Sequence, residues 1–410
     1  MPTRASDSDI LMPLEVGGLR FRNQFVVASG PTVKNLEMVR RIEAAGWGAA
    51  SLKLAIDPTY ISIPPRYRWL RKERYHAFTA ETRLGFEEGL RLMEAARGST
   101  SELILYANMA YAGEAGEEGW ARMARKYEEA GAHVIELNMC CPNMSFNVES
   151  SGGECRTISG ASVGCRPDLV SQAARAVRAA VDIPVFVKLT PEGGRIAEVA
   201  KACFEAGVVS AGTTANRLAV PDFDVYQPEK GIWRLQAEPT LACFSGPWIR
   251  PLALRDVYEM RTACDDEDMI MGSGGVETWK DAVRMMMCGA DFVQVCTATM
   301  LHGFDILGKM MKGLKRFMDQ QGYSDYREFR GLVCPHITPA HQLTLYEGVA
   351  MIDEDKCTAC GLCQRIGHCY AISQEEDEKA RVNPADCTGC STCVDICPAG
   401  AASMKVGGKL

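Results

Sequence analysis

The spacing of the cysteines near the carboxyl end constrains this chain more than any other feature. Eight of its 18 cysteines lie between Cys357 and Cys397, and the other ten are spread over the preceding 356 positions. Cys387-x2-Cys390-x2-Cys393-x3-Cys397-Pro398 is the run in which three close thiolates hold one four-iron cluster and the fourth reaches a second. A first group, Cys357-x2-Cys360-x2-Cys363, is followed by Cys369 after five intervening residues rather than three. Cross-pairing predicts one [4Fe–4S] cluster on Cys357, Cys360, Cys363 and Cys397 and another on Cys387, Cys390, Cys393 and Cys369, the longer spacing bearing only on Cys369. Zinc is the alternative, although two sets of three thiolates plus a distant fourth suit no simple zinc count. Two neighbouring clusters are most useful as an electron wire, so the chain is expected to contain or contact a redox centre.

The remainder is long enough for a large core. With 410 residues, 47% of them hydrophobic, the chain has room for a major globular domain besides the cysteine-rich segment. Basic side chains number 45 against 52 acidic, for a net charge of −7, so no chain-wide positive field exists to hold nucleic acid or an anionic membrane. No apolar run approaches the roughly 18–20 residues needed to span a bilayer, and residues 1–24 lack an apolar signal region. A soluble, cytoplasmic protein is expected, with a barrel domain over 1–335, a linker over 336–350 and a ferredoxin-like domain over 351–410.

Eight short β-branched runs alternate with amphipathic helical stretches: Phe25–Ser29, Ala49–Leu54, Leu103–Met109, His133–Met139, Val185–Leu189, Val208–Thr214, Met269–Ser273 and Phe292–Thr297. Their non-alternating apolar character suits a parallel sheet covered by helices, and eight repeats predict a (β/α)8 TIM barrel. A doubly wound open sheet is the rival, since rhythm alone does not decide closure. Connections 56–80, 140–166 and 215–248 are too long to be mere turns and are expected to cover or build a site. The first carries Arg66, Arg68, Arg71, Lys72 and Arg74 among Tyr67, Trp69 and Tyr75, either as a solvated face or as positive charge over the mouth of the site.

Polar residues stand where the apolar strands end: Ser29, Lys53, Asn138, Lys188 and Thr214. A lysine within Val185-Phe186-Val187-Lys188-Leu189 is costly to bury unpaired. It faces either a structural carboxylate or the negative charge of a reduced flavin. Gly272-Ser273-Gly274-Gly275 after the seventh strand, and Cys296-Thr297 after the eighth, fall where barrels recurrently bind phosphate. Cys141, at the exit of the fourth strand, is placed like a group that exchanges protons, with a small buried hydrophobe as its plainer reading. No GxGxxG follows a strand, so nicotinamide is expected to bind elsewhere.

Together these residues resemble a known family. Asn138-x-x-Cys141-Pro142-Asn143, Lys188-Leu189-Thr190-Pro191, Ser245-Gly246-x-x-Ile249-Arg250-Pro251 and Gly274-Gly275, followed by the double-ferredoxin tail, are similar to the catalytic half of dihydropyrimidine dehydrogenase. The class 1 dihydroorotate dehydrogenases share the barrel without that tail. The resemblance implies FMN held by Ala28, Ser29, Lys53, Asn138, Lys188, Thr214, Ser245, Gly246, Gly274, Gly275, Cys296 and Thr297. It makes Cys141 the general acid or base, with Lys188 stabilising the reduced flavin. Asn138, Asn143 and Asn216 are then the groups that orient a small cyclic substrate. It further implies a NAD(P)H-oxidising flavoprotein subunit as electron donor, and an oligomer is expected.

Departures from the family bear on the substrate. Phe78-Thr79-Ala80 stands where the family has Phe-x-Asn, removing one amide from the pyrimidine site. Thr214-Ala215-Asn216 replaces a Thr-Asn pair, Cys140 replaces a serine, Glu192 replaces an asparagine, and the 140–166 loop is longer, with Cys155 and Cys165. The reaction remains open between a pyrimidine-like ring and another conjugated, anionic one, and a non-catalytic electron-transfer subunit is the third reading. Met285-Met286-Met287-Cys288 is expected to be core filler. The six histidines show no metal spacing, His368 beside Cys369 being an exposed turn or an irregular ligand.

Overall fold

A computed structural model describes residues 13–59, 62–79, 82–141, 160–214, 216–374 and 379–409. The chain divides into two compact units, Met1–His336 and Ile337–Leu410.

In the first unit eight strands, β1 (Phe25–Val27), β2 (Ala49–Ser51), β3 (Ile104–Tyr111), β4 (Val134–Met139), β5 (Val185–Leu189), β6 (Ser210–Thr213), β7 (Met269–Ser273) and β8 (Phe292–Val295), pair in parallel in chain order. Pairing of β8 with β1 closes the ring, which decides for the barrel over the open sheet. Each strand is followed by a covering helix: α1 (Leu36–Ala44), α2 (Phe86–Arg97), α3 (Gly116–Glu129), α4 (Pro167–Arg178), α5 (Ile196–Glu205), α6 (Arg250–Ala263), α7 (Trp279–Met287) and α8 (Ile306–Gln321). Several strands stop short of the sequence expectation, β1 at Val27 and β8 at Val295: Ala28 keeps one ladder bond, and Ser29, Cys296 and Thr297 beyond turn to the mouth.

Alternation along each strand sorts the barrel interior into layers. Near the amino ends, Tyr106, Phe186 and Phe292 pack with Phe21 of an amino-terminal hairpin (Leu14–Val16 and Leu19–Phe21), Phe21 lying 4.9 Å from Phe292 and Tyr106 5.3 Å from Phe186. Two residues further on, the same strands become polar: Asn108, Lys188 and Gln294 follow those aromatics, and Asn138 sits directly beside Lys188 in the ladder. An apolar plug below and polar groups above place the chemistry at the carboxyl ends. Met285 and Met286 are fully buried on α7, as core residues should be.

The long connections 56–80 and 215–248 supply a four-stranded antiparallel sheet, in which Tyr67–Leu70, Tyr75–Phe78, Ala242–Ser245 and Arg217–Ala219 are neighbours in that order. Register sets Ser245 opposite His76. The second unit pairs Tyr346–Ile352 with Ala402–Lys409 and Ile372–Gln374 with Ala380–Val382, beside a short helix Thr392–Ile396. Its first strand thus starts inside the stretch expected as a linker. Among the described residues no helix is long and apolar enough to cross a membrane.

Candidate active site

A cavity of about 1060 Å³ opens at the carboxyl ends of the barrel strands. Of the residues singled out in the sequence, Ser29, Lys53, Asn138, Cys141, Lys188, Thr214, Asn216, Ser245, Gly246, Gly274, Gly275, Cys296 and Thr297 all line it. Ala28 does not; it is buried, and its N–H continues the β1–β8 ladder to Val295 O at 3.0 Å. Asn143, Ala80, Ala215 and Cys155 lie outside the described residues.

Two features fit the walls to a phosphorylated, electron-accepting ring. Lys188 is 5% exposed, and its ammonium has no hydrogen-bond or ion-pair partner among the described residues. A buried cation in that position is costly unless a ligand supplies the compensating acceptors. Opposite, Gly246 and Gly275 hold φ of 96° and 72°, conformations that suit glycine. A Cβ on Gly275 would stand 3.0 Å from Gly246 O and 2.8 Å from Arg250 Cβ. The two loops thereby pack backbone against backbone, which a side chain at position 275 would prevent. Thr297 Oγ1 donates to Ser245 Oγ at 3.0 Å, tying the eighth-strand loop to the antiparallel sheet.

The wall also contains residues the sequence did not single out. Arg83 is buried, and its Nη2 lies 3.5 Å from Cys141 Sγ. Ser62 clamps its backbone, accepting from Arg83 N at 3.0 Å and donating to Arg83 O at 3.1 Å. His76 is buried, stacks on Tyr67 with centroids 5.3 Å apart, and sets Nδ1 3.4 Å from Ser245 Oγ. By contrast, Arg66, Arg68, Arg71, Lys72 and Arg74 are not among the lining residues. Arg74 pairs with Glu277 at 2.7 Å and Arg66 caps Leu235 O, so the positive charge in the cavity comes from Arg83 and the lysines rather than from the arginine-rich run. The available signal was an arginine opening the apolar stretch Leu84-Gly85-Phe86. Cys140 is fully enclosed, and burial pushes its thiol up to about 12 despite the nearby Lys188. Of the two adjacent thiols, Cys141, half-buried, is the one able to meet a ligand.

In the second unit the cysteines gather around two cavities. One, of about 350 Å³, is lined by Cys357, Cys360, Cys363 and Cys397; the other, of about 300 Å³, by Cys369, Cys387, Cys390 and Cys393. Among the described residues no three ligands converge closely enough for a single metal ion. Thiols ranged around a hollow fit a polynuclear cluster, whereas tetrahedral zinc needs four donors about 2.3 Å from one point. Ala350 N and Ala401 N each donate to a sulfur at 3.3 Å, those of Cys387 and Cys397. Such bonds tune a cluster's potential. His368 Nε2 lies 3.4 Å from Cys390 Sγ, a contact made from an exposed turn.

A closed barrel with a cationic, glycine-cradled mouth, joined to a thiolate-rich domain, defines a flavin and iron–sulfur oxidoreductase. Comparison with known proteins gives its kinship: the chain belongs to the dihydroorotate dehydrogenase family, which it matches over residues 12–318, and carries a 4Fe-4S dicluster domain over 349–398. It is 31% identical to the NAD-dependent dihydropyrimidine dehydrogenase subunit PreA of Escherichia coli (strain K12), covering 84% of this chain and 82% of that one. It is 27% identical to the chloroplastic dihydropyrimidine dehydrogenase (NADP(+)) of Arabidopsis thaliana, over 80% and 78% of the two chains. The catalytic subunit of dihydroorotate dehydrogenase B (NAD(+)) from Pyrococcus abyssi is 28% identical, over 78% of this chain and 99% of that one. These relatives are oxidoreductases acting on CH–CH bonds, and this chain is an enzyme of that kind.

Proposed function

We propose that the chain reduces or forms an activated C=C bond in a small, pyrimidine-like cyclic amide. The observation that carries this reading is the buried Lys188, without a hydrogen-bond or ion-pair partner among the described residues, beside Asn138 and lining the same cavity as Cys141. FMN fits that wall and, when bound, would supply the hydride from N5. Lys188 and Lys53 would offset negative charge on the ring, Asn138 and Thr214 would hydrogen-bond its edge, and Ser29 would contact it from the first strand. Ser245, Gly246, Gly274, Gly275, Cys296 and Thr297 would hold the ribityl chain and phosphate, with Ala28 as backbone support.

In the reducing direction one carbon of the substrate receives the hydride, and Cys141 Sγ delivers a proton to its neighbour. The thiolate left behind regains its proton from solvent. Asn138, Asn143 and Asn216 orient the ring amide. Over the cycle, one NAD(P)H and one proton reduce one C=C to CH–CH. Cys357, Cys360, Cys363 and Cys397 would hold one [4Fe–4S] cluster and Cys387, Cys390, Cys393 and Cys369 a second, and these, when bound, would supply one-electron relays for electrons from a nicotinamide oxidised on a separate flavoprotein subunit. The flavin barrel then spans 1–335 and the cluster domain reaches to 410, its first strand starting at Tyr346 within the stretch 336–350 expected as a linker, in a cytoplasmic oligomer.

Arg83 favours a second reading of the substrate. With its guanidinium 3.5 Å from Cys141 Sγ, a ring bearing an anionic group beside the protonated carbon would be held by a charge-assisted bond. Anaerobically purified protein should hold about eight iron and one FMN per chain if both tail sites carry four-iron clusters. Turnover on uracil and thymine against their carboxylated analogues separates the two substrates. Flavin without substrate-dependent reoxidation anywhere in that panel would instead identify an electron-transfer subunit.

A further inference from the structure

Inside the barrel lies a carboxylate that does not line the cavity and has no ion-pair partner among the described residues. Glu136 is fully buried on β4, two residues before Asn138 and on the same inward face. It accepts hydrogen bonds from three other strands: from Ser51 Oγ on β2, Asn108 Nδ2 on β3 and Gln294 Nε2 on β8, the last at 2.7 Å. Barrel interiors are ordinarily filled by branched apolar side chains, and a carboxylate is a costly replacement.

Its distinguishing property is that it only accepts. Asn108 must therefore turn its NH2 to Glu136 and its carbonyl away, and that carbonyl accepts from Asn138 Nδ2 at 2.9 Å. The carbonyl of Asn138 is taken by Cys140, whose backbone N–H and thiol lie 3.4 and 3.3 Å away. What remains is the second N–H of Asn138, on a side chain that lines the cavity.

We propose that Glu136 is a positioning residue: by fixing the polarity of two amides in series, it makes Asn138 a hydrogen-bond donor to the cavity. The ligand atom seated there must then be an acceptor, a carbonyl oxygen or an unprotonated ring nitrogen. An amide at position 136 would lose this, because either of its ends can face either neighbour. The inference rests on the reading of Asn138 as a cofactor contact, and the test separates the two.

FMN affinity and thermal melting are measured on the full-length chain for wild type, N138A, E136Q and the double variant E136Q/Q294E. E136Q is nearly isosteric, but its amide can turn either end to Asn108, with Gln294 free to turn in response, so it no longer fixes the orientation of Asn108. In the double variant the carboxylate moves to β8, where it accepts from the amide now on β4, whose oxygen again accepts from Ser51 and Asn108. N138A and E136Q should each weaken FMN about tenfold, and the double variant should return to within about threefold of wild type. Wild-type affinity in E136Q beside a weakened N138A overturns the positioning role alone. A double variant that melts like wild type but binds as weakly as E136Q overturns it as well. Wild-type affinity in N138A removes Asn138 from the cofactor site, and the inference falls with that reading.

Discussion

The two units of this chain are held together by different means. The barrel has a continuous core of side chains such as Trp47, Phe21, Phe25, Phe186 and Phe292, all fully buried. Each contributes about 1.5–3 kcal/mol of burial. In the second unit the buried apolar cluster is Ala350, Ile372 and Ala380 with Cys393, and half-buried Ile352, Ile366, Val382, Val394 and Met404 pack around it together with Cys357, Cys363, Cys369 and Cys387. Five of the residues in this cluster are cysteines, and no leucine or phenylalanine is part of it. A domain so short of apolar volume depends on metal bonds for its fold, because cluster binding and folding are then one equilibrium.

Iron removal is therefore the harshest way to break the comparison. Chelation under mildly oxidising conditions should make residues beyond 337 protease-sensitive while the barrel melts at its usual temperature. All six tryptophans lie before residue 280, so their fluorescence reports the barrel alone. A tail that stays protected without iron would show that its small core suffices.

The second largest effect separates chemistry from electron supply. Cys141→Ala should lower kcat by about 10²- to 10⁴-fold, the usual worth of a positioned general acid, while flavin and iron contents and their reducibility by the electron donor remain. Stopped-flow reduction of the flavin followed by substrate-driven reoxidation distinguishes the two half-reactions. Wild-type reoxidation in the variant would remove Cys141 from the proton-transfer role.

The sequence was most readable where a physical constraint leaves a local mark. Non-alternating apolar runs marked all eight barrel strands because both faces of each are covered. The thiol groups were legible because cluster ligands need fixed short spacing. The polar residues at strand ends pointed to one cavity because the parallel barrel brings those ends together. The strand termini were less legible, since Ser29 and Cys296 belong to apolar runs in sequence yet turn out of the ladder in space. Arg83 and His76 were missed for a related reason: each reaches the cavity through the antiparallel sheet and connections that only tertiary pairing creates. The arginine run drew attention by composition, whereas the buried guanidinium at the mouth stands apart from it.

A third test probes the barrel from its amino-terminal side, where charge is paired rather than waiting for a ligand. Asp291 is fully buried and accepts from Arg261 at 3.2 Å, Arg330 at 3.0 Å, Tyr326 OH at 3.2 Å and Ile270 N at 2.8 Å. Asp291→Ala leaves two guanidinium groups without their shared acceptor and should cost about 3–5 kcal/mol. Tryptophan-monitored unfolding should shift accordingly with iron content unchanged. A loss of iron of the same size would mean the two units do not draw their stability from separate sources.

The smallest expected effect sharpens the comparison through pH. Asp256, on α6, accepts from Thr213 Oγ1 at 3.1 Å and pairs with Arg217 at 3.5 Å. Burial nevertheless pushes its carboxyl up to about 6, against the pull of Arg217 and Thr213. In the unfolded chain the group titrates near 3.9. Between those values the folded barrel keeps a proton that the unfolded chain has lost, so the folded state binds more protons and this residue's contribution to stability falls as pH rises from about 4 to about 6. Above that window the penalty is complete and flat, at no more than about 3 kcal/mol for a shift of about two units. Asp256→Asn cannot ionise, so the difference between variant and wild-type stability should grow across the window and then level off. Parallel curves through that range would show that the carboxyl titrates as it does in water. The tail provides the internal contrast, since its order should follow iron content in both proteins and be indifferent to this substitution.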